Sequence, residues 1–149
     1  MTSAATQHPE ILIRAANPID VPQIRTLIAP FVEQKKLLPR SDEELTELTR
    51  NGFVAEVDKQ VVGFAAVEVY SRKLAELVCL AVAEPYQGMG IGRRLVRQCI
   101  RRARELNILE LMAISASDGF LKSCGFDYSL PEQKRALFYQ PLADKDEVD

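Results

Sequence analysis

The run Gln87-Gly-Met-Gly-Ile-Gly92 sets three of the chain's seven glycines on alternate positions of one short segment. It follows an apolar stretch, Leu77-Val-Cys-Leu-Ala-Val82. It precedes a helical pattern in which Ile91, Leu95, Cys99 and Ala103 form one stripe and Val96 and Ile100 a flanking one. A strand, a glycine-rich turn and a helix N-terminus in that order make an anion site. The glycines let several backbone N–H groups point at one spot, and the helix dipole adds positive potential there. Arg93 and Arg94 fall in the first helical turn, where the dipole disfavours a cation, so their presence asks for a ligand such as a phosphate. A chain built around this unit needs a sheet for the strand to join and a face for the helix to cover.

The rest of the sequence supplies both. Ile11–Arg14 reads as a strand, and Asn17-Pro-Ile-Asp20 as the start of a helix to about residue 35, with Val21, Ile24, Leu27, Ile28, Phe31 and Val32 at helical spacing. Ser41-x-x-Glu44 has capping-box spacing for a second helix to about Arg50. Phe53–Val57 and Val61–Tyr70, joined at Asp58-Lys-Gln60, read as a β-hairpin, and Ala75–Val82 as the next strand. After the long helix come a strand over Ile108–Ser115, a short helix over Asp118–Cys124 ended by Gly125, and strands over Phe126–Ser129 and Ala136–Leu142. This order describes an α/β (α+β) fold, a mixed central sheet of about six to seven strands flanked by about four helices. One domain is expected over residues 11–142, with a loose N-terminal arm over 1–10 and an acidic tail over 143–149.

Composition narrows the function classes. The longest apolar runs are of strand length, far short of the roughly 20 residues a bilayer needs, so no membrane association is expected. The first ten residues have neither a basic region nor an apolar one. The three cysteines, Cys79, Cys99 and Cys124, lack CxxC spacing, so a reducing, cytoplasmic setting without disulfides or structural zinc is the default. The one histidine, His8, lies in the arm, which argues against a Cys–His or Ser–His centre and against a metal site. Six arginines stand between 93 and 104, on a chain of net charge −2. A local basic patch on a near-neutral chain points to a small anionic ligand and not to a nucleic acid.

The anion is narrowed by what the loop lacks. No Gly-Lys-[Ser/Thr] follows it, as a P-loop requires. A dinucleotide fingerprint starting at Gly88 would need a third glycine where Arg93 stands. The segment does fit Q/R-x-x-G-x-G/A, and on it the chain resembles the GNAT family of N-acetyltransferases, in which this loop binds the acyl-CoA pyrophosphate. The likeness extends to Leu80-Ala-Val82 before the loop, to Glu84-Pro-Tyr-Gln87, and to Gly125-Phe126 after the short helix. It covers nearly all of residues 11–142 in order and spacing. Within that family the chain is most similar to the acetyltransferase domain of N-acetylglutamate synthases, through Leu37-Leu-Pro-Arg-Ser41, Ala75–Val82, Met112-Ala-Ile-Ser115 and Leu130-Pro-Glu132. Two positions depart. Phe120-Leu121 stands where many members carry the tyrosine used as general acid. The loop between Glu132 and Leu137 is short and holds only Lys134 and Arg135 as cations.

The resemblance implies transfer of acetyl from acetyl-CoA, without a metal, to the primary amine of an amino-acid-like small molecule, L-glutamate first among them. It also allows a homodimer. Acetylation of a protein lysine or N-terminus, or acyl-CoA binding without turnover, are the alternatives. The backbone of Leu80, Ala81 and Val82 would hold the pantetheine and the thioester carbonyl. Gln87, Gly88, Met89, Gly90, Ile91, Gly92 and Arg93 would hold the pyrophosphate. Glu76, the only carboxylate inside the strand Ala75–Val82, is expected to take the amine proton directly or through water, and Ser115 to face the sulfur. Arg40, with Arg135 or Lys134, is expected to bind an acceptor carboxylate. Each has a plainer reading: Glu76 at a strand start, Ser115 as a turn former, Arg40 and Arg135 as solvated surface charges.

Overall fold

A computed structural model describes residues 9–115, 118–128, 137, 139, 141 and 142. Its elements are β1 (Leu12–Ala15), α1 (Val21–Glu33), α2 (Asp42–Thr49), β2 (Gly52–Val57), β3 (Gln60–Val69), β4 (Leu74–Val82), α3 (Ile91–Glu105), β5 (Glu110–Ala113) and α4 (Asp118–Ser123), with 3₁₀ turns over Pro18–Asp20 and Glu84–Tyr86. The strands form one sheet in sequence order, β1-β2-β3-β4-β5. The first three pairings are antiparallel and β4–β5 is parallel, across the α3 connection.

This is the mixed α/β layout expected, with five strands among the described residues where six to seven were expected. β5 is shorter than Ile108–Ser115, because Ile108 N–H still donates to Ala103 O to close α3, around Asn107 at φ 56°. Phe126, Asp127 and Tyr128 carry no strand. Ser129, Ala136, Phe138 and Gln140 of the last expected strands, Lys134, Arg135, His8 and the tail from 143 lie outside the described residues.

Local signals explain the helix starts. Asn17 accepts from Ile19 N–H, and Asp20 returns a bond from Asn17 N–H, both at 2.9 Å. Ser41 and Glu44 exchange the two capping-box bonds at 2.9 and 3.1 Å, which fixes the backbone just after Arg40. Period-2 alternation in the strands then makes two cores. On one face α1 and α2 pack Ile24, Ile28, Leu45 and Leu48 on Val54, Phe64, Ala66, Val78 and Cys79. On the other α3 packs Ile91, Leu95, Val96 and Cys99 on Ala55, Val62, Ala65, Val67, Ala75 and Leu77. Gly63 permits the second contact, since a Cβ there would stand 3.1 Å from Ala55 Cβ, Ile91 Cγ2 and Leu95 Cδ1. Cys79 and Cys99 are both buried thiols, as their apolar positions predict.

The sheet then comes apart at one place. β5 pairs only with Leu74–Leu77 of β4, while β4 runs on to Val82. Against β3 the register moves from Phe64↔Ala81 to Ala66↔Val78, so that Cys79 and Leu80 together oppose Ala65. That is a β-bulge, and Cys79 takes φ 56° within it. The bulge re-aims the last residues of β4 where β5 has ended.

Candidate active site

Three pieces meet at this opening: the end of β4, the glycine loop and the start of α3. Ala83 N–H donates to Val62 O at 2.8 Å. Strand alternation therefore turns the amides of Val82 and Leu80 to the opposite edge, into the gap that β5 leaves. These are the two amides expected to meet a pantetheine arm. Ala81 lies between them, buried toward the α1/α2 core.

The loop beyond is shaped for an anion. Gly88 and Gly90 have φ of 82° and 80°, and a Cβ on either would meet nothing within 4 Å. Backbone conformation and not space demands glycine there. Gly92 is under neither constraint: a Cβ there would make ordinary contact with the Phe120 ring, at 3.4 Å. The first intrahelical bond of α3 is Arg94 N–H to Gly90 O, at 3.1 Å. The amides of Ile91, Gly92 and Arg93 are left for an external acceptor at the positive end of a 15-residue helix. The Ile91 side chain is buried beneath them and Met89 is exposed on the loop. No helix among the described residues is long and apolar enough to cross a membrane, and no cluster of possible metal ligands stands among them.

Two side chains expected to reach a phosphate are engaged elsewhere. Gln87 Nε2 donates to Val82 O at 2.9 Å, bracing the loop against the strand. The Arg93 guanidinium donates to Ser123 O and Oγ at 2.9 and 2.7 Å, tying α3 to the end of α4.

Glu76 and Arg40, the side chains expected on the acceptor side, lie on the α1/α2 face. Ala75 and Leu77 point into the α3 core, so Glu76 points the other way. Directly across from it in the β3–β4 register is Glu68. Tyr70 donates its phenol to Glu76 Oε1 at 2.6 Å, and Arg40 Nη1 donates to Glu68 Oε1 at 3.0 Å. Donation to Glu76, aided by burial, raises the Tyr70 phenol above its ordinary value. Burial works against the Arg40 charge. Its hydrogen bond to Glu68 and the nearby carboxylates outweigh that, so the guanidinium is held above its ordinary value. Arg40 Nε is buried and has no hydrogen-bond partner among the described residues. Beside it is an open cleft of about 360 Å³ lined by Arg40, Glu44, Glu47, Arg50, Asn51 and Glu68. Burial also pushes the Cys79 thiol up, which keeps it protonated and a poor nucleophile.

The structure thus brings Glu76 and Arg40 to one face and the backbone of Leu80, Val82 and Gly88–Arg93 to one rim. Ser115 is exposed two residues past the end of β5. Arg135 lies outside the described residues. Tyr70 and Glu68 were not singled out from the sequence. The readable signal was the hairpin itself, whose register sets two in-strand carboxylates, Glu68 and Glu76, opposite each other.

The chain is similar to known proteins over most of its length. The model of the acetyltransferase (GNAT) family matches residues 20–126. An uncharacterized N-acetyltransferase of Chlorobaculum tepidum is 33% identical over 114 residues, 76% of this chain and 74% of the relative. An amino-acid acetyltransferase of Neisseria meningitidis is 35% identical over 131 residues, 84% of this chain but 30% of the relative. The chain therefore spans about a third of that enzyme's length. Among solved structures, the N-acetylglutamate synthase of Neisseria gonorrhoeae complexed with coenzyme A and N-acetyl-glutamate superposes with a TM-score of 0.69 at 34% identity, covering 78% of this chain and 28% of that one.

Proposed function

The chain belongs to the acetyltransferase (GNAT) family, and we propose that it transfers acetyl from acetyl-CoA to the primary amine of a small amino acid, L-glutamate first among them. The observation that carries the acceptor class is Arg40. Its Nη1 is held by Glu68, and its Nε is buried without a partner. A buried donor left unsatisfied in the protein asks for a ligand acceptor. A carboxylate meeting the exposed part of this guanidinium makes a charge-assisted bond there without displacing Glu68 from Nη1. The cleft beside it mixes three carboxylates with two guanidiniums, groups of both signs for the ammonium and carboxylate of an amino acid. The amino-acid acetyltransferase of N. meningitidis and the coenzyme A-bound synthase of N. gonorrhoeae support the same reading.

The chain's own groups divide the work. Acetyl-CoA brings an acyl group activated as a thioester. Val82 and Leu80 amides fit the carbonyl and the pantetheine arm, and the amides of Ile91, Gly92 and Arg93 fit the pyrophosphate, with Gly88 and Gly90 setting the loop's path. The acceptor amine attacks the thioester carbon, so that a C–N bond forms and the C–S bond breaks. Glu76 takes the proton the nitrogen loses. The departing sulfur takes a proton from solvent relayed through the Ser115 hydroxyl, the group nearest that end of β5 by sequence, and Glu76 returns its own to solvent. No protein atom needs to be acylated, which agrees with a protonated Cys79.

The test is release of free CoA thiol from acetyl-CoA with L-glutamate, other amino acids and a lysine peptide as parallel acceptors. Saturable release with glutamate, lost in Glu76→Gln and weakened in Arg40→Ala, is the expected result. Release with the peptide alone moves the substrate to protein. Coenzyme A binding with no release from any acceptor makes the protein a binding module and overturns the proposal.

A further inference from the structure

Two carboxylates stand opposite each other at the acceptor side, and they are not held alike. Directly opposed residues of antiparallel strands carry their Cβ atoms roughly 4.5–5.5 Å apart, and like charges there repel. Each of the two has its own donor. Glu68 is bonded by Arg40, a permanent cation, at 3.0 Å. Glu68 is thereby committed to an ion pair. Glu76 is bonded by the neutral phenol of Tyr70 at 2.6 Å. A phenol fixes the carboxylate without cancelling its charge. Glu76 Oε2 has no protein hydrogen bond among the described residues. The other titratable or charged groups around the pair are Cys79 on β4, Arg40 on the loop before α2, and Glu44 on α2. The partner from β5 is Met112, which is uncharged.

The β3–β4 turn does not need this phenol. It is closed by Tyr70 N–H and Ser71 N–H to Leu74 O at 3.0 and 3.1 Å, and by Ser71 Oγ accepting from Lys73 and Leu74 N–H. Nor does the core need it, since Tyr70 is 53% exposed. It does not replace the tyrosine missing at Leu121 either. Leu121 packs in the α3 core, on the opposite face of the sheet from Glu76.

We propose that Tyr70 is the positioning residue for the base: it fixes Glu76 through Oε1 and leaves Oε2 to accept the acceptor's proton. This rests on the reading of Glu76 as that base. The experiment compares wild type, Tyr70→Phe and Glu76→Gln in acetyl-CoA turnover, using whichever free L-amino acid the wild type turns over fastest. A hydrogen bond to a charged group is worth about one to two powers of ten. Tyr70→Phe is therefore expected to lower kcat by about tenfold. KM for acetyl-CoA stays unchanged. Glu76→Gln abolishes turnover. An inactive Glu76→Gln with a Tyr70→Phe kcat equal to that of wild type overturns the Tyr70 inference and leaves the base standing. A Glu76→Gln variant as active as wild type overturns the base, and the inference with it. Absence of turnover in the wild type with every amino acid overturns the functional reading itself.

Discussion

Arg40 and Glu68 form a half-used ion pair: Nη1 donates to Oε1 at 3.0 Å, while the buried Nε meets no partner. The geometry favours a planar fork, so lysine is not an equivalent cation there. Arg40→Lys is expected to raise KM for a carboxylate-bearing acceptor by roughly tenfold or more, with kcat changed much less. KM for acetyl-CoA serves as the internal control. Steady-state kinetics on both substrates checks this. Equal rises in the two KM values would indicate a general disturbance of the fold.

The Tyr70–Glu76 bond has a spectroscopic signature. A phenol donating to a carboxylate holds its proton, so Tyr70 titrates above the ordinary tyrosine value of about 10. A raised value in the folded state makes the contact stabilising below the unfolded value. That stability is lost as pH rises through the folded one. In Glu76→Gln the negative acceptor is gone, and the Tyr70 resonance is expected to titrate at lower pH than in wild type. An NMR titration of ring-labelled tyrosine reads it directly, with Tyr70→Phe supplying the assignment.

The glycine loop gives a prediction that separates conformation from space. At φ 80° Gly90 has no neighbour that a methyl group would strike. Gly90→Ala therefore costs only the left-handed backbone term, about 1–2 kcal/mol. The loop relieves it by turning its amides away. Coenzyme A affinity by calorimetry is expected to drop about tenfold or more, with the melting temperature lowered by only a few degrees.

Far from the site, Arg14 clamps Asp20 through both guanidinium ends, at 2.8 and 2.9 Å, and also bonds Glu56 at 3.0 Å. The Arg14 hydrogen bonds hold the Asp20 carboxyl below the usual carboxylate range. With a lowered folded value, this stability is present above the unfolded value of about 3.9 and is lost as pH falls through the folded one. Asp20→Asn is expected to cost about 2 kcal/mol at neutral pH. Its stability should also fall less steeply than wild type below about pH 4. Urea melts at a series of pH values test both.

The parts of this fold that were legible in the sequence are those with local causes. Helical spacing and the Ser41–Glu44 box placed α2, alternation placed the β2–β3 hairpin, and glycines before an amphipathic run placed the loop at the head of α3. The parting of β4 from β5 was not legible, because it depends on a bulge whose positive-φ residue is a cysteine in an apolar run. The family resemblance assigns Arg93 and Gln87 to the phosphate. Their partners, Ser123 O and Val82 O, come from how α4 and β4 pack around the loop. The pairing of Glu68 with Glu76 was implicit in the hairpin register, but only tertiary structure brings Arg40 from the loop before α2 to neutralise one of them and not the other.

The most direct test of the central claim follows the acetyl group itself. Carbonyl-labelled [¹³C]acetyl-CoA is incubated with the protein and L-glutamate, and the product carbonyl is observed by NMR. The account predicts a thioester signal replaced by an amide signal coupled to the glutamate nitrogen, at a rate abolished in Glu76→Gln. A thioester signal that stays unchanged with glutamate and every other free amino acid, in a sample that binds coenzyme A, would contradict it.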